Sequence, residues 1–325
     1  MKGLIALALS VVAVTGVASA QDFQPGKPIS IVVPFPAGGV TDGMARLIAE
    51  KMAPTLGVPV VIDNVGGGGG TIGVGKVARA APDGHSLILG NLETHVTNAI
   101  AVPANYDVFT DFEPVTMMPS YPFLLVSKNE VPAKNLLEFF AWLKVNQDKV
   151  FQGTVGAAGS AQHLCGVRWQ DELKMKWSFV PYRGGAPAMQ DMMAGQFDIM
   201  CTATGSFLPL VQAGKIKAYA VTQKTRLAIA PDIPTVDEAG FPGFHAGVWN
   251  AMWTSKGTPK PLIARLQDSI AKALNDPPLR QRLIDMGLDL PTPEQMPPEY
   301  LAKLQKSEAD LWWPITKKAL ADPPK

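Results

Sequence analysis

A glycine-containing segment between the first predicted strand and the first predicted helix is well suited to bind an anion. The segment spans residues 34–42 and includes the pair Gly38 and Gly39. Because glycine has no side chain, a ligand can approach the free N–H groups at the helix start, where the helix dipole favours negative charge. The segment therefore predicts an anion cradle. An ordinary loop with Thr41 as the helix N-cap explains the same residues.

A second segment of the same kind spans residues 156–163 and reads Gly-Ala-Ala-Gly-Ser-Ala-Gln-His. It also lies between a predicted strand and a predicted helix, with Ser160 in the N-cap position. If the two helix starts face each other across a cleft, one or both could hold a carboxylate. His163 could contact the ligand or support the loop, and its residue type does not decide between these roles.

Patterns typical of an enzyme are weak in this sequence. Residues 68–73 match the G-x-G-x-x-G pattern of dinucleotide-binding loops, but five consecutive glycines at 66–70 satisfy that pattern easily. Val77 stands where a P-loop requires Ser or Thr. No Ser, His and Asp occur in the context of a catalytic nucleophile, so we expect neither enzyme activity nor a cofactor. A secreted hydrolase, or an oxidoreductase that uses the glycine-rich loop, stays as the alternative.

The cysteines and histidines do not have the spacing of metal ligands. Cys165 and Cys201 are too few for a disulfide framework, and the sequence leaves open whether they form one disulfide or remain two buried thiols. We expect no bound metal, because the four histidines are scattered along the chain. They are His85, His95, His163 and His245.

Short apolar runs alternate with amphipathic stretches in two series, at residues 29–89 and 123–221. An irregular segment around residues 119–122 separates the series, and an apolar, aromatic run at 247–254 follows them. This order predicts an α/β fold of two lobes, each a mainly parallel sheet flanked by helices, with two strands crossing between the lobes at a hinge. We place lobe 1 at residues 21–122 and 250–325, and lobe 2 at residues 123–249.

Composition and charge exclude several kinds of partner. The 325 residues are 47% hydrophobic and carry a formal net charge of +1, which indicates a folded chain without the basic surface that nucleic acid or an anionic membrane would need. Lys2, the apolar run at 4–17 and the Ala18-Ser19-Ala20 sequence are typical of a signal peptide cleaved after Ala20. We expect an exported, soluble and monomeric mature protein.

Several short motifs occur in the order and spacing of a known family. They are Pro34-Phe35-Pro36-Ala37-Gly38-Gly39 with Thr41-Asp42, the glycine-rich stretch through Thr71-Ile72-Gly73, Ala80-Ala81-Pro82-Asp83-Gly84, Val180-Pro181-Tyr182-Arg183-Gly184-Gly185, Ala213-Gly214-Lys215, and Pro234-Thr235-Val236 with Glu238-Ala239-Gly240. The mature chain resembles the Bug family, the extracytoplasmic solute receptors of tripartite tricarboxylate transporters. The resemblance implies a two-lobed periplasmic binding fold that captures a small organic carboxylate. It also implies delivery to a permease of one large and one small membrane subunit; a carboxylate sensor without a transport role is a further alternative.

The resemblance also assigns ligand contacts to residues of this sequence. The first carboxylate loop would be Ala37, Gly38, Gly39, Thr41 and Asp42, the second Gly159, Ser160, Ala161, Gln162 and His163, and the side walls Asn91, Thr94, His95, Thr202, Ala203 and Thr204. Related receptors often carry Asp or Asn in the 202–204 segment, so the departure here leaves open how the far end of the ligand is bound. We expect Glu93 to face solvent, although it could pair with a ligand ammonium or repel a second carboxylate.

The charge of the candidate loops bears on the class of ligand. Residues 37–42, 156–163 and 202–206 contain no Lys or Arg, so three carboxylates would bury more negative charge than two helix ends can offset. We expect a mono- or dicarboxylate without an α-amino group, because residues 202–204 contain no acid that could pair with an ammonium; Glu93 is the feature that argues against this choice. Tyr121, Phe123, Trp249 and Trp253 lie on the crossing segments and could form an aromatic wall or belong to the core.

Overall fold

The computed structural model describes residues 23–24, 26–156 and 159–321. The predicted signal peptide therefore lies outside the described residues. The strands are β1 (Ile29–Val33), β2 (Val60–Asn64), β3 (Ser86–Asn91), β4 (Phe112–Lys128), β5 (Phe151–Val155), β6 (Ser178–Tyr182), β7 (Ile199–Ala203), β8 (Ile216–Val221) and β9 (Gly247–Ser255). The helices are α1 (Val40–Leu56), α2 (Thr71–Ala78), α3 (Asn98–Ala101), α4 (Leu136–Asn146), α5 (Ala161–Leu173), α6 (Gly185–Met193), α7 (Thr204–Gln212), α8 (Lys260–Leu274), α9 (Pro277–Asp285) and α10 (Pro298–Ala321).

A mixed sheet runs through the described part of the molecule in the order β2-β1-β3-β9-β4-β7-β5-β6, and β8 pairs with β4. The group β2-β1-β3 is parallel, and so is the group β7-β5-β6. Strands β4 and β9 run antiparallel between the two groups. The predicted α/β class with two lobes and two crossing strands is confirmed.

Strand β4 continues through the segment that was expected to be irregular, so that prediction is wrong. It contains Pro114, Pro119 and Pro122. Its register with β9 shifts between Pro114 and Thr116 and again between Met118 and Tyr121. Irregular pairing of this kind tolerates residues that lack an N–H donor, so the prolines do not end the strand. Because β4 and β9 are shared by both parallel groups, the exact lobe boundaries stay a prediction.

Helix α1 shows how the sequence specifies the packing of the first lobe. Met44, Ile48 and Met52 recur at i, i+4 spacing and are fully buried against β1, β3 and α8. Burial of each such side chain contributes about 1.5–3 kcal/mol relative to exposure. The helix ends at Gly57, which adopts the left-handed conformation and donates its N–H to the Ala53 carbonyl. The packing of its buried face against the sheet holds the start of α1 at the carboxyl end of β1.

The long C-terminal helix α10 contacts elements of both lobes. It packs against β4 and α5. The Gln305 side-chain amide donates to the carbonyls of His95 and Val108 at 3.0 and 3.1 Å, and Lys318 pairs with Asp171 of α5. No helix among the described residues is long and apolar enough to cross a membrane.

A disulfide joins Cys165 of α5 to Cys201 of β7, which are 36 positions apart in the sequence. Both residues are fully buried among the aromatic side chains of the second lobe, including Phe139 and Trp169. The bond therefore fixes α5 against the strand that carries Thr202 and Ala203.

Replacing both cysteines by alanine is expected to lower the free energy of unfolding by about 2–4 kcal/mol, because the unfolded chain loses its cross-link. Urea denaturation of the wild type and of the Cys165→Ala/Cys201→Ala variant measures the difference. Each single variant also lacks the bond and should lose a similar amount. An unchanged unfolding midpoint in the double variant would contradict the expectation.

Candidate ligand-binding cleft

A cavity of about 710 Å³ lies between the two lobes, at the carboxyl ends of the parallel strands. This volume falls within the range of small-molecule sites, and parallel sheets bind ligands at this edge. A second cavity, of about 260 Å³, lies beside the crossing strands at Ser120, Trp249 and Trp312. The larger cavity is the candidate site because both predicted carboxylate loops border it.

Four helices begin at this cleft: α1, α5, α6 and α7. Each directly follows a parallel strand of the sheet, namely β1, β5, β6 or β7. The first N–H groups of a helix have no partner within the helix and carry partial positive charge. The arrangement therefore suits a ligand with one or more negative groups. Sequence analysis identified the starts of α1 and α5 as anion sites. It did not identify the starts of α6 and α7 as anion sites, although residues 183–185 belong to a family motif and residues 202–204 were predicted as a side wall.

All predicted residues of the first loop line the cleft: Ala37, Gly38, Gly39, Thr41 and Asp42. Asp42 has a structural function there, since one of its carboxylate oxygens accepts from the Gly38 N–H at 2.9 Å and from Arg46 Nε at 3.1 Å. The Arg46 guanidinium holds the pKa of Asp42 below its usual range. The ionised carboxylate thereby keeps the loop folded around Gly38, whose φ of +86° favours glycine.

The second loop contributes Ser160, Ala161 and Gln162 to the lining, whereas Gly159 and His163 do not line the cleft. His163 Nδ1 accepts from the Gly159 N–H at 3.1 Å, and its ring packs edge-on against Phe179. Ser160 caps α5 by accepting from the His163 N–H. The structure therefore does not place Gly159 and His163 at the cleft, and direct ligand contact by either residue stays a prediction. His163 instead supports the loop from behind.

The side walls follow the prediction only in part. Asn91, Thr202 and Ala203 line the cleft, whereas Thr94, His95 and Thr204 do not. Thr94 exchanges hydrogen bonds with Asn91, since its Oγ1 accepts from the Asn91 N–H at 2.9 Å. Direct ligand contact by Thr94, His95 and Thr204 stays a prediction that the cleft lining does not support. Thr94 and His95 belong to a π-helical turn, Glu93–Thr97, that buries both side chains.

The two other buried wall residues are held by core contacts. The His95 ring stacks on Trp253 with a centroid distance of 3.8 Å. The Thr204 hydroxyl donates to the Pro122 carbonyl at 2.8 Å. Both side chains therefore stabilise the protein behind the cleft wall.

Glu93 lines the cleft, so the expectation that it faces solvent was wrong. Its Oε1 accepts a hydrogen bond from the Ala161 N–H at 2.7 Å. Glu93 follows β3 in the first lobe and Ala161 begins α5 in the second, so the bond connects the lobes across the cleft. Burial raises the pKa of Glu93, partly offset by this hydrogen bond.

Further lining residues supply an apolar wall and a positive charge. Tyr121 and Phe123 of β4 line the cleft together with Met189, Phe207 and Val248. Of the other two aromatic candidates, Trp253 lies in the core and Trp249 donates to Glu308.

Arg183, just before α6, is the only basic side chain lining the cavity in the described part of the chain. It is exposed and has no ion-pair partner among the described residues. The charge argument from the three predicted loops had omitted it, because the α6 start was not recognised as part of the site.

Two parallel strand groups joined by crossing strands, with a cleft between them lined by helix starts, define a two-lobed solute-binding protein. The family described as tripartite tricarboxylate transporter family receptor matches residues 44–319. The chain belongs to this family, as its resemblance to the Bug receptors implied.

Individual relatives agree with this assignment over nearly their full length. BugT of Bordetella pertussis is 31% identical over 301 residues, which cover 91% of this chain and 92% of that protein. The structure of MatC from Rhodopseudomonas palustris with bound malate is 38% identical with a TM-score of 0.76, covering 89% of this chain and 98% of MatC. An R. palustris protein with adipate is 29% identical with a TM-score of 0.77, covering 90% of this chain and 97% of that one.

The buried histidines predict a stability that falls in mild acid. Burial lowers the pKa of His95 to about 3 and of His163 to about 4. Both rings are then neutral in the folded protein, whereas the unfolded chain binds protons below about pH 6.5. Stability is therefore fully present above this pH and is lost as pH falls, by up to about 1.4 kcal/mol per pH unit for each histidine.

Urea denaturation at pH 7.5, 6 and 5 measures this loss. A folded His95→Gln or His163→Gln variant should show a smaller decrease than the wild type over the same interval, because one of the two groups no longer takes up a proton on unfolding. Parallel pH dependences in the wild type and both variants would show that neither histidine causes the loss.

Proposed function

We propose that this chain is a periplasmic receptor that captures a small organic carboxylate between its lobes and delivers it to a tripartite tricarboxylate-type permease. The observation that carries the proposal is the convergence of four helix starts on one cleft. A carboxylate placed there would accept hydrogen bonds from N–H groups that the helices leave unpaired. The monomeric state, the cleaved signal peptide and the two permease subunits are part of the same proposal. The sequence of residues 2–20 supports the signal peptide, and family membership supports the permease.

The free energy that helix ends can contribute is smaller than the free energy of binding a micromolar ligand, so other contacts must contribute to affinity. Each helix end contributes about 0.3–1 kcal/mol to binding a negative group, and more when partly buried. A micromolar ligand requires about 8.2 kcal/mol. The helix ends therefore need support from Arg183, which can form a charge-assisted hydrogen bond, and from burial of the ligand's carbon chain against Tyr121 and Phe123.

The ligand class that we propose is a mono- or dicarboxylate. MatC with malate and the R. palustris protein with adipate support a dicarboxylate, since both bound acids carry two carboxyl groups. The argument against an α-amino group relied on the absence of an acid at residues 202–204. Because Glu93 brings an acid to the cleft from another segment, that argument loses its basis. Amino acids therefore belong in the binding screen.

Isothermal titration calorimetry with malate, succinate, adipate, glutamate and citrate tests the proposal. We expect binding of at least one mono- or dicarboxylate and little heat with citrate, because three carboxylates carry more negative charge than four helix ends of about half a charge each, together with Arg183 opposed by Glu93, can offset. The acid should be recovered unchanged after incubation, which separates a receptor from an enzyme. Reduced uptake of the same acid by a strain lacking the gene separates transport from sensing.

A Gly39→Val variant should weaken binding by about tenfold or more, since the new side chain would occupy the cleft in front of the α1 start. The fold should tolerate it, because Gly39 has a φ of −78° and an added Cβ would meet only the Pro36 carbonyl oxygen, at 3.7 Å. Gly39→Ala serves as the matched control and should have a smaller effect. Near-normal affinity in a folded Gly39→Val protein would remove the first loop from the site.

A further inference from the structure

The hydrogen bond between Glu93 and Ala161 places a carboxylate of the protein itself at a helix start that borders the cleft. Ala161 is the first residue of α5, and its N–H has no acceptor within the helix. The Glu93 Oε1 accepts this N–H at 2.7 Å, although the two residues are 68 positions apart in the chain. The contact occupies one of the donors that a ligand carboxylate would otherwise use.

The other charges around the cleft determine how strongly the carboxylate of Glu93 disfavours a negatively charged ligand. Asp42 is neutralised by Arg46, at 2.9 Å from one of its oxygens. Glu93 has no ion pair with any described residue, and Arg183 is the one basic side chain that lines the described cavity. With Glu93 ionised, Glu93 and Arg183 cancel. Each carboxylate of a ligand then adds negative charge that no basic side chain offsets, so that only the helix ends can offset it.

We infer that Glu93 is a specificity-determining residue that limits the number of carboxylates a ligand can carry. It takes the place of a ligand carboxylate at the start of α5, so a ligand carboxylate binds at the α1 start and the end of the ligand that faces Glu93 is neutral or donates a hydrogen bond, whether or not a second carboxylate binds elsewhere in the cleft. This inference rests on the proposed function and deepens it. The uncharged end then contacts the apolar wall formed by Tyr121 and Phe123.

Pairs of acids that differ by one charge separate this role from a purely structural one. The probes are adipate with monomethyl adipate and succinate with monomethyl succinate, titrated by calorimetry into the wild type and the Glu93→Gln variant. Glutamine retains an oxygen that can accept from Ala161 but removes the charge. We expect the ratio of diacid to monoester affinity to rise about tenfold in Glu93→Gln, because one like charge near the second carboxylate is gone.

Further variants control for folding and for the contact itself. Glu93→Ala frees the Ala161 N–H and should raise the ratio at least as much as Glu93→Gln. Glu130→Gln removes an exposed acid outside the cleft lining and should leave the ratio unchanged. Thermal unfolding of each variant verifies that it folds.

The possible outcomes distinguish this inference from the proposed function. If Glu93→Gln changes the affinities for diacid and monoester by the same factor, Glu93 acts only on the contact between the lobes and the inference is wrong. A fall in the ratio would also overturn it. If the wild type binds none of the four acids and none from the wider screen, the proposed function fails and the inference fails with it.

Discussion

The directional order of the parallel strands is the constraint on which the cleft depends. Strands β1, β5, β6 and β7 all end at the cleft, and each is followed directly by a helix. The two parallel groups run in opposite directions, so their carboxyl ends face each other across the cleft. A helix that starts there must point its unpaired N–H groups into the space beyond the strand ends. The antiparallel strands β9 and β4 lie between the two groups and reverse the strand direction from one group to the other, which turns both sets of carboxyl ends towards the cleft. Positive electrostatic potential in the cleft thus follows from topology more than from basic residues.

The protein uses its own carboxylates to organise these helix starts. Asp42 accepts the Gly38 N–H and is balanced by Arg46, so it shapes the first loop at little cost in charge. Glu93 accepts the Ala161 N–H without a basic partner among the described residues, so its ionised form brings net negative charge to the cleft. Both acids accept a backbone N–H, but they have opposite consequences for a ligand. The disulfide between Cys165 and Cys201 fixes α5, the helix that begins with Ala161, against β7.

Local signals in the sequence predicted the parts of the site that depend on neighbouring residues. The glycines and N-cap residues of the first two loops reveal a strand-to-helix turn within a few positions, and both loops border the cleft. The strand through Pro114, Pro119 and Pro122 was missed because proline normally argues against a strand, and pairing with β9 outweighs that preference. Glu93 could not be placed from local pattern, since its partner lies 68 positions away. His95 was predicted to contact the ligand, but a π-helical turn and stacking on Trp253 bury its ring behind the cleft wall. Neither of these contacts can be predicted from the residues next to His95 in the sequence.

Charge and shape contribute to selectivity in different ways. Four helix ends together supply about 1–4 kcal/mol for a negative group, and this sum is nearly the same for any small carboxylate. It therefore favours anions as a class without distinguishing among them. The number of carboxylates is decided by the fixed charges, because Arg183 and Glu93 leave no surplus of positive side chains in the described cleft. The choice among acids of equal charge must then depend on how the carbon chain fits the wall at Tyr121, Phe123 and Met189, where each buried methylene contributes about 0.8 kcal/mol.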